Sequence, residues 1–213
     1  RQGKAYIYGD KELGDGPVLP KDRPGNMFVF SECRTILLRD VIIKDSPMWT
    51  IHIADSHGAE LRGLAILNGP SYANNDGIHC TTSRNIRISD CDIRAGDDGI
   101  CVTGSGNKKG ISENVTATNC MIQSRSSGIR IGYGANNIRN LVFQNLVIYG
   151  SNRGIGVFTR DQGSIENVLF SNITIETRLH TGHWWGHGEP IHLSAVPVYE
   201  KVTSGIIKNV RFS

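Results

Sequence analysis

The chain has 213 residues, of which 38% are apolar and 20% charged, with a formal net charge of +3. That length suits one domain, or two at most, with enough apolar residues for a core. The mild positive balance permits an acidic polymer as partner without selecting one. No block of like charge marks a nucleic-acid arm, and no apolar run of about 18 residues marks a membrane span.

In chain order, residues 1–25 are rich in glycine, proline and charge and read as irregular. Seven segments then share one short frame: 35–43, 58–66, 85–93, 114–122, 140–148, 167–175 and a truncated copy from Asn209. Their starts step by 23, 27, 29, 26, 27 and 42 residues. A variable period near 26 is the mark of a solenoid whose loops differ in length. Within each frame the apolar residues alternate, which is strand periodicity, and no stretch carries a capped helical stripe. The sixth slot reads Asp40, Gly63, Asp90, Asn119, Asn145, Asn172. Stacked Asn side chains tolerate left-handed backbone and can bond from coil to coil, so this column is expected to form an internal ladder. Short parallel strands stacked coil on coil, an all-β parallel β-helix running through residues 1–213 as one domain, account for the pattern.

A second strand follows each frame, through Asp76-Gly77-Ile78-His79-Cys80, Asp98-Gly99-Ile100-Cys101-Val102, Ser127-Gly128-Ile129-Arg130-Ile131 and Arg153-Gly154-Ile155-Gly156-Val157. Glu189-Pro190-Ile191-His192-Leu193 fits the same form. Equivalent residues of consecutive coils become lateral neighbours about 4.8 Å apart. Asp76, Asp98, Ser127 and Arg153 should therefore share one row at the strand entrance. His79, Cys101, Arg130, Gly156 and His192 should share a second, outward row. Residues 176–190, with His183, Trp184, Trp185 and His187, read as an insertion loop over one edge. Five cysteines with no C-x-x-C pair read as buried thiols. Arg1 opens the sequence without a leader and Ser213 falls inside a strand pattern, so the chain is expected to be part of a longer one.

Chemistry concentrates at Asp76, Asp97 and Asp98. Glycoside hydrolysis needs one carboxylic acid to protonate the leaving oxygen and one carboxylate to activate water or attack carbon. Crowded carboxylates do not all ionise easily, so one should stay protonated near neutral pH. Their spread over two coils suits the water-sized gap of an inverting enzyme. Two other readings stand beside this one: Asp-Gly pairs as plain turn formers, and the acids as hard oxygen ligands for calcium. Trp184 and Trp185 could stack on sugar rings or merely cover the edge of the solenoid. His183 and His187, four apart in a glycine-flanked loop, do not suggest zinc.

Asn74-Asn75-Asp76-Gly77 and Gly96-Asp97-Asp98, with Asp76 and Asp97 separated by 21 residues, resemble the Asn-Thr-Asp and (Gly/Gln)-Asp-Asp signatures of the polygalacturonases, glycoside hydrolase family 28. Ser46-Pro47-Met48-Trp49 resembles that family's Ser-Pro-x-Trp. The resemblance implies a right-handed parallel β-helix of the pectin-lyase-like kind, inverting hydrolysis of pectic bonds, Asp97 as general acid, and Asp76 with Asp98 holding and activating the water. It implies a uronic-acid-containing polysaccharide or oligosaccharide as partner, no nucleic acid, no membrane, no cofactor and no metal, a monomer, and a secreted or periplasmic location. Two motifs depart from the family. Ser126-Ser127-Gly128 stands where it has Gly-His-Gly, and Gly154-Ile155-Gly156-Val157-Phe158 where it has Gly-Ile-Arg-Ile-Lys. Altered specificity is the expectation, with Arg130, aided by Arg153 or Arg160, reaching into the space beside Gly156 to grip a substrate carboxylate. Ser127 fills the histidine's slot, and His79, His183 or His187 is a candidate to stand in for it. The alternative is a catalytically impaired carbohydrate-binding or structural β-helix.

Overall fold

The structure is a computed structural model and describes residues 17–18, 21–105, 109–180, 184–197 and 203–213. The described residues form parallel strands and no helix, as the alternating frames predict. One sheet takes a strand from each coil in chain order: Phe28–Ser31, Ile51–Ala54, Ile78–Thr81, Ile100–Thr103, Ser127–Gly132, Arg153–Thr159 and Ile191–Ala195. The first two of these precede any Asp-Gly signal, and the sequence reading did not assign them. The frames build the other sheet in two arms. Strands Arg34–Arg39, His57–Arg62, Arg84–Ser89 and Ile111–Thr118 run along one arm, and Ile42–Lys44, Ala65–Leu67, Asp92–Ala95 and Met121–Ser124 along the other. The long strand Asn137–Ser151 pairs with both arms, and Ile165–Thr177 and Ile207–Phe212 extend the stack.

The core follows from register. Ile51, Ile78, Ile100, Ile129, Ile155 and Ile191 are successive lateral partners. All but the terminal Ile191 are buried. Frame residues such as Ile86, Ile88, Ile93, Ile122 and Ile148 fill the space behind them. Each fully buried aliphatic side chain contributes about 1.5–3 kcal/mol relative to exposure. Phe143, Phe170 and Phe212 stack coil over coil, with ring centroids 5.3 and 4.9 Å apart.

The turns within each frame are columns of left-handed residues. Slot six has φ of 57° at Asp40, 57° at Asp90, 54° at Asn119, 53° at Asn145 and 51° at Asn172. Slot one behaves alike, with φ of 57° at Asn85, 56° at Asn114, 57° at Asn140 and 58° at Asn167. Asn and Asp visit this region at least cost among residues with a Cβ. Asn114 donates to Asn85 at 2.9 Å, Asn140 to Asn114 at 3.3 Å and Asn167 to Asn140 at 3.2 Å, while Asn172 donates to Asn145 at 2.8 Å. The expected ladder is thus two ladders. They are solvent-exposed rather than internal, because the frame's apolar residues take the inside.

Strand Ile165–Thr177 runs into the segment assigned to the insertion, so the loop starts at Arg178. Its described ends fold back, with Arg178 N–H donating to Ser151 O at 2.8 Å and Gly188 N–H to Asn152 O at 2.9 Å. His183 lies outside the described residues, as does most of the irregular stretch 1–25.

Candidate active site

The entrance row forms as the repeat requires. Trp49, Asp76, Asp98, Ser127, Arg153 and Glu189 each stand two residues before the paired isoleucines of the first sheet, and Ser127 is the lateral partner of Arg153. The glycine after each acid is set by space, not by a left-handed turn. A Cβ on Gly77 would meet Gly99 O and Ile93 Cγ2, both at 2.5 Å, and one on Gly99 would meet Ile122 Cγ2 at 2.5 Å and Gly128 O at 2.6 Å. Gly128 and Gly154 meet Ile148 Cγ2 and Ile175 Cγ2 at 2.6 Å in the same way. This glycine column lets each coil close against the core. The Asp-Gly pairs are therefore not the turn formers that the bland reading makes of them.

The three carboxylates are nearly enclosed, at 2%, 5% and 4% exposure for Asp76, Asp97 and Asp98. Buried charge of this kind must be paired or neutralised. Each acid meets that demand differently. Asp98 is paired: Ser126 Oγ–H donates to its Oδ1 at 2.9 Å, Ser127 N–H at 3.0 Å, and Arg130 Nε–H bonds Oδ2. Burial pushes its carboxyl up, but the Arg130 charge and these donors outweigh burial and hold it below the ordinary carboxylate range. Asp97 Oδ2 accepts from Asn74 N–H at 2.9 Å. Burial, then repulsion from Asp76 and Asp98, pushes Asp97 well above the ordinary range, toward its protonated form. Asp76 Oδ2 meets His79 Nδ1 at 2.8 Å and the Cys101 thiol at 3.5 Å. Burial and the Asp98 charge raise Asp76 to about 7. None of these bonds reaches Asp76 Oδ1 or Asp97 Oδ1.

The backbone around the acids is pinned by asparagines. Asn75 Oδ1 accepts from Gly96 N–H at 2.7 Å and Asp97 N–H at 3.1 Å. Asn68 donates to Asn75 O at 2.8 Å and Thr50 Oγ1 at 2.7 Å. Arg23 bonds Asn74 Oδ1 at 2.9 Å, Pro47 O at 3.0 Å and Ala73 O. The sequence reading missed Arg23, which lies in the irregular segment with no periodic signal, and it missed Asn68.

The second row, His52, His79, Cys101, Arg130, Gly156 and His192, is in register and faces away from the core cluster. Its middle is covered rather than open. His79 is 1% exposed under Trp49, whose ring stacks on it at 3.7 Å. Burial and Arg130 lower the His79 imidazole well below its ordinary value, leaving it neutral. His79 thus backs Asp76 and does not line an open groove.

Arg130 is placed otherwise than the sequence reading expects. A Cβ on Gly156 would meet Phe158 Cε2 at 2.5 Å and Arg153 Cδ at 3.2 Å, so that space is filled by the Phe158 ring. Arg130 turns instead to Asp98 and to Gly132 O, 3.0 Å from its Nη1. Arg153 is also committed inward, to Glu189 Oε1 at 3.0 Å. Arg160 is exposed, with its guanidinium 5.0 Å from the Tyr133 ring and 5.7 Å from that of Phe158. Arg130 lies 4.7 Å from Tyr133, so guanidinium and aromatic groups run on from Asp98 to Arg160. Tyr133 carries φ of 24°, a strained value for a residue with a Cβ. Trp184 is 5% exposed and packs inward, so it offers no open ring to a sugar; Trp185 is half-buried.

Residues 2–180 match the family model described as glycosyl hydrolases family 28. A polygalacturonase of Arabidopsis thaliana, QRT2, is 25% identical over 181 residues, covering 82% of this chain and 40% of that protein. A polygalacturonase of Persea americana is 27% identical over 180 residues, covering 81% and 37%. The chain thus spans about two fifths of these curated relatives. Among solved structures, an exopolygalacturonase from Thermotoga maritima superposes with a TM-score of 0.70 at 23% identity, covering 92% of this chain and 46% of that one. An endo-xylogalacturonan hydrolase from Aspergillus tubingensis gives 0.71 at 12% identity, covering 88% and 52%. At these identities the structural likeness speaks for the fold.

Proposed function

The chain belongs to family 28 of the glycosyl hydrolases, and from that premise we propose that it carries the catalytic row of an inverting hydrolase acting on an acidic pectic polysaccharide or oligosaccharide. The observation that carries the reading is three adjoining, nearly enclosed carboxyls met by different partners: Asp98 by Arg130 and Ser126, Asp76 by His79, and Asp97 by the Asn74 N–H. Asp97, whose carboxyl burial and the neighbouring Asp76 and Asp98 push well above the ordinary range, is the acid, and its Oδ1 is the donor to the glycosidic oxygen. Asp76, poised at about 7, takes the proton of the attacking water through Oδ1, since a base works best with its pKa near the working pH. Asp98 stays ionised beside Arg130 and with Asp76 holds that water. One displacement with one acid and one base inverts the anomeric carbon.

Substrate acidity is read from the guanidinium and aromatic run. With Arg130 and Arg153 bonded inward, exposed Arg160, steadied on Tyr133 and Phe158, is the group placed to grip a uronate carboxylate. Phe158 and Gly156 stand where the family motif has basic residues, which favours a specificity other than plain polygalacturonate. Secretion or a periplasmic location, and action as a monomer, belong to the same proposal. No helix among the described residues is long and apolar enough to cross a membrane.

Reducing-end release from a panel of plain, methyl-esterified and branched pectic oligosaccharides tests the reading. Release from at least one acidic member, abolished in Asp97→Asn, is the expected result. Binding of the same panel with no release would establish instead the carbohydrate-binding alternative.

A further inference from the structure

Asp76, His79 and Cys101 turn three different donor atoms toward one point. A carboxylate oxygen of Asp76, a ring nitrogen of His79 and Cys101 Sγ all lie within 4.8 Å of one another, and all three side chains are buried. His79 and Cys101 are lateral partners on adjacent strands, so the backbone fixes their spacing. The hydrolytic reading uses Asp76 and gives the thiol no task. A carboxylate, an imidazole and a thiol form the donor set of zinc-type sites, and the sulfur favours zinc or cadmium over calcium or magnesium.

We infer that Asp76, His79 and Cys101 form a binding site for a thiophilic divalent cation, zinc or cadmium, and that occupation of the site withdraws Asp76 from catalysis. The second half rests on the functional reading above; the first does not. With metal bonds of about 2.0–2.3 Å, tetrahedral ligands stand roughly 3.3–3.8 Å apart. The present separations of 2.8 Å for His79 to Asp76 and 3.5 Å for Cys101 to Asp76 need only side-chain adjustment. On binding, Cys101 gives up its thiol proton to water, and Asp76 gives up its own wherever it is protonated. The neutral imidazole moves its single proton from Nδ1 to Nε2, which faces Thr103 Oγ1 at 3.5 Å. Two anionic ligands then balance the dication, and water takes the fourth position. Arg130 is the opposing charge, and Asp98 is its counter-ion. Because binding releases these protons, it tightens as pH rises.

Cadmium titration of the whole chain, followed by the thiolate-to-cadmium ultraviolet band, is the test. The expected result is one equivalent bound with a band, and loss of the band with about 100-fold or weaker binding in Cys101→Ser. His79→Gln keeps the band and binds about 10–100-fold more weakly. Cys33→Ser, which alters a thiol outside the site, changes nothing. X-ray absorption of cadmium on the unmutated protein covers the case of a misfolded variant. One sulfur among nitrogen and oxygen neighbours agrees with the site. A two-sulfur shell, which fits the adjacent Cys91 and Cys120 thiols, or a shell without sulfur, overturns it. Wherever hydrolysis is measurable, cadmium should inhibit it and a chelator restore it. Cadmium bound at Cys101 with full hydrolysis would refute the second half alone.

Discussion

The asparagine ladders and the acid row are both columns produced by stacking one repeat, and they differ in what the repeat puts in each slot. Along the ladders the later coils supply asparagine in the same slot, so each amide bonds its copy in the next coil and the column satisfies itself at the surface. Along the entrance row each coil supplies a different residue: Trp49, Asp76, Asp98, Ser127, Arg153, Glu189. No residue there can bond its own copy, and the charges settle against one another, with Arg130 neutralising Asp98 and Asp97 pushed toward its protonated form. A uniform column is architecture; a varied column on the same scaffold can carry chemistry.

The contrast can be broken from either side. The largest effect is expected at the acids: Asp97→Asn or Asp76→Asn should lower kcat about 10²–10⁴-fold. The Asp97 variant should also melt above the wild type at pH 8. A carboxyl whose pKa is raised by folding destabilises the fold as pH climbs past its unfolded value, and the amide has no such proton to lose. Next comes Arg130→Gln, which strands the Asp98 carboxylate in a buried site and should cost about 3–5 kcal/mol by denaturant melts. Gly99→Ala, with its Cβ 2.5 Å from Ile122 Cγ2 and 2.6 Å from Gly128 O, should cost about 1–3 kcal/mol by the same melts without altering the charge of the row. The pH profile of kcat/KM should rise through about 7 as Asp76 ionises and fall where Asp97 loses its proton. A profile flat across that range would contradict the assigned base. Arg160→Ala should raise KM about tenfold for an acidic oligosaccharide and leave a neutral analogue unchanged; equal effects would remove Arg160 from recognition. Smallest is the ladder: Asn114→Ala should cost about 1 kcal/mol in stability and nothing in specificity.

Much of this was legible in the sequence because solenoids write their geometry as a period. The frame starts fixed the coils, and the Asp-Gly-Ile and Ser-Gly-Ile strings fixed the register that brings Asp76, Asp98 and Ser127 into line. What the period cannot encode was missed or misplaced. Arg23 reaches Asn74 from 51 residues away, out of an irregular segment. The strand pattern shows that Gly156 lacks a side chain, which points Arg130 to that gap, but not that Phe158, two residues on, folds back to fill it. The coil-to-coil bonding of the ladders is legible in the repeat, while their exposure is not. Trp184 packs inward, which agrees with the covering role, one of the two that the sequence leaves open.

The central claim is that stacking leaves one of three adjoining carboxyls protonated at neutral pH. Infrared spectroscopy of the protein at pH 7.5 measures this directly through the carbonyl band of a neutral carboxylic acid. The account predicts a buried-acid band in the unmutated chain that falls in Asp97→Asn to the smaller part Asp76 contributes. Absence of the band from the unmutated chain, or an undiminished band in the variant, would contradict it.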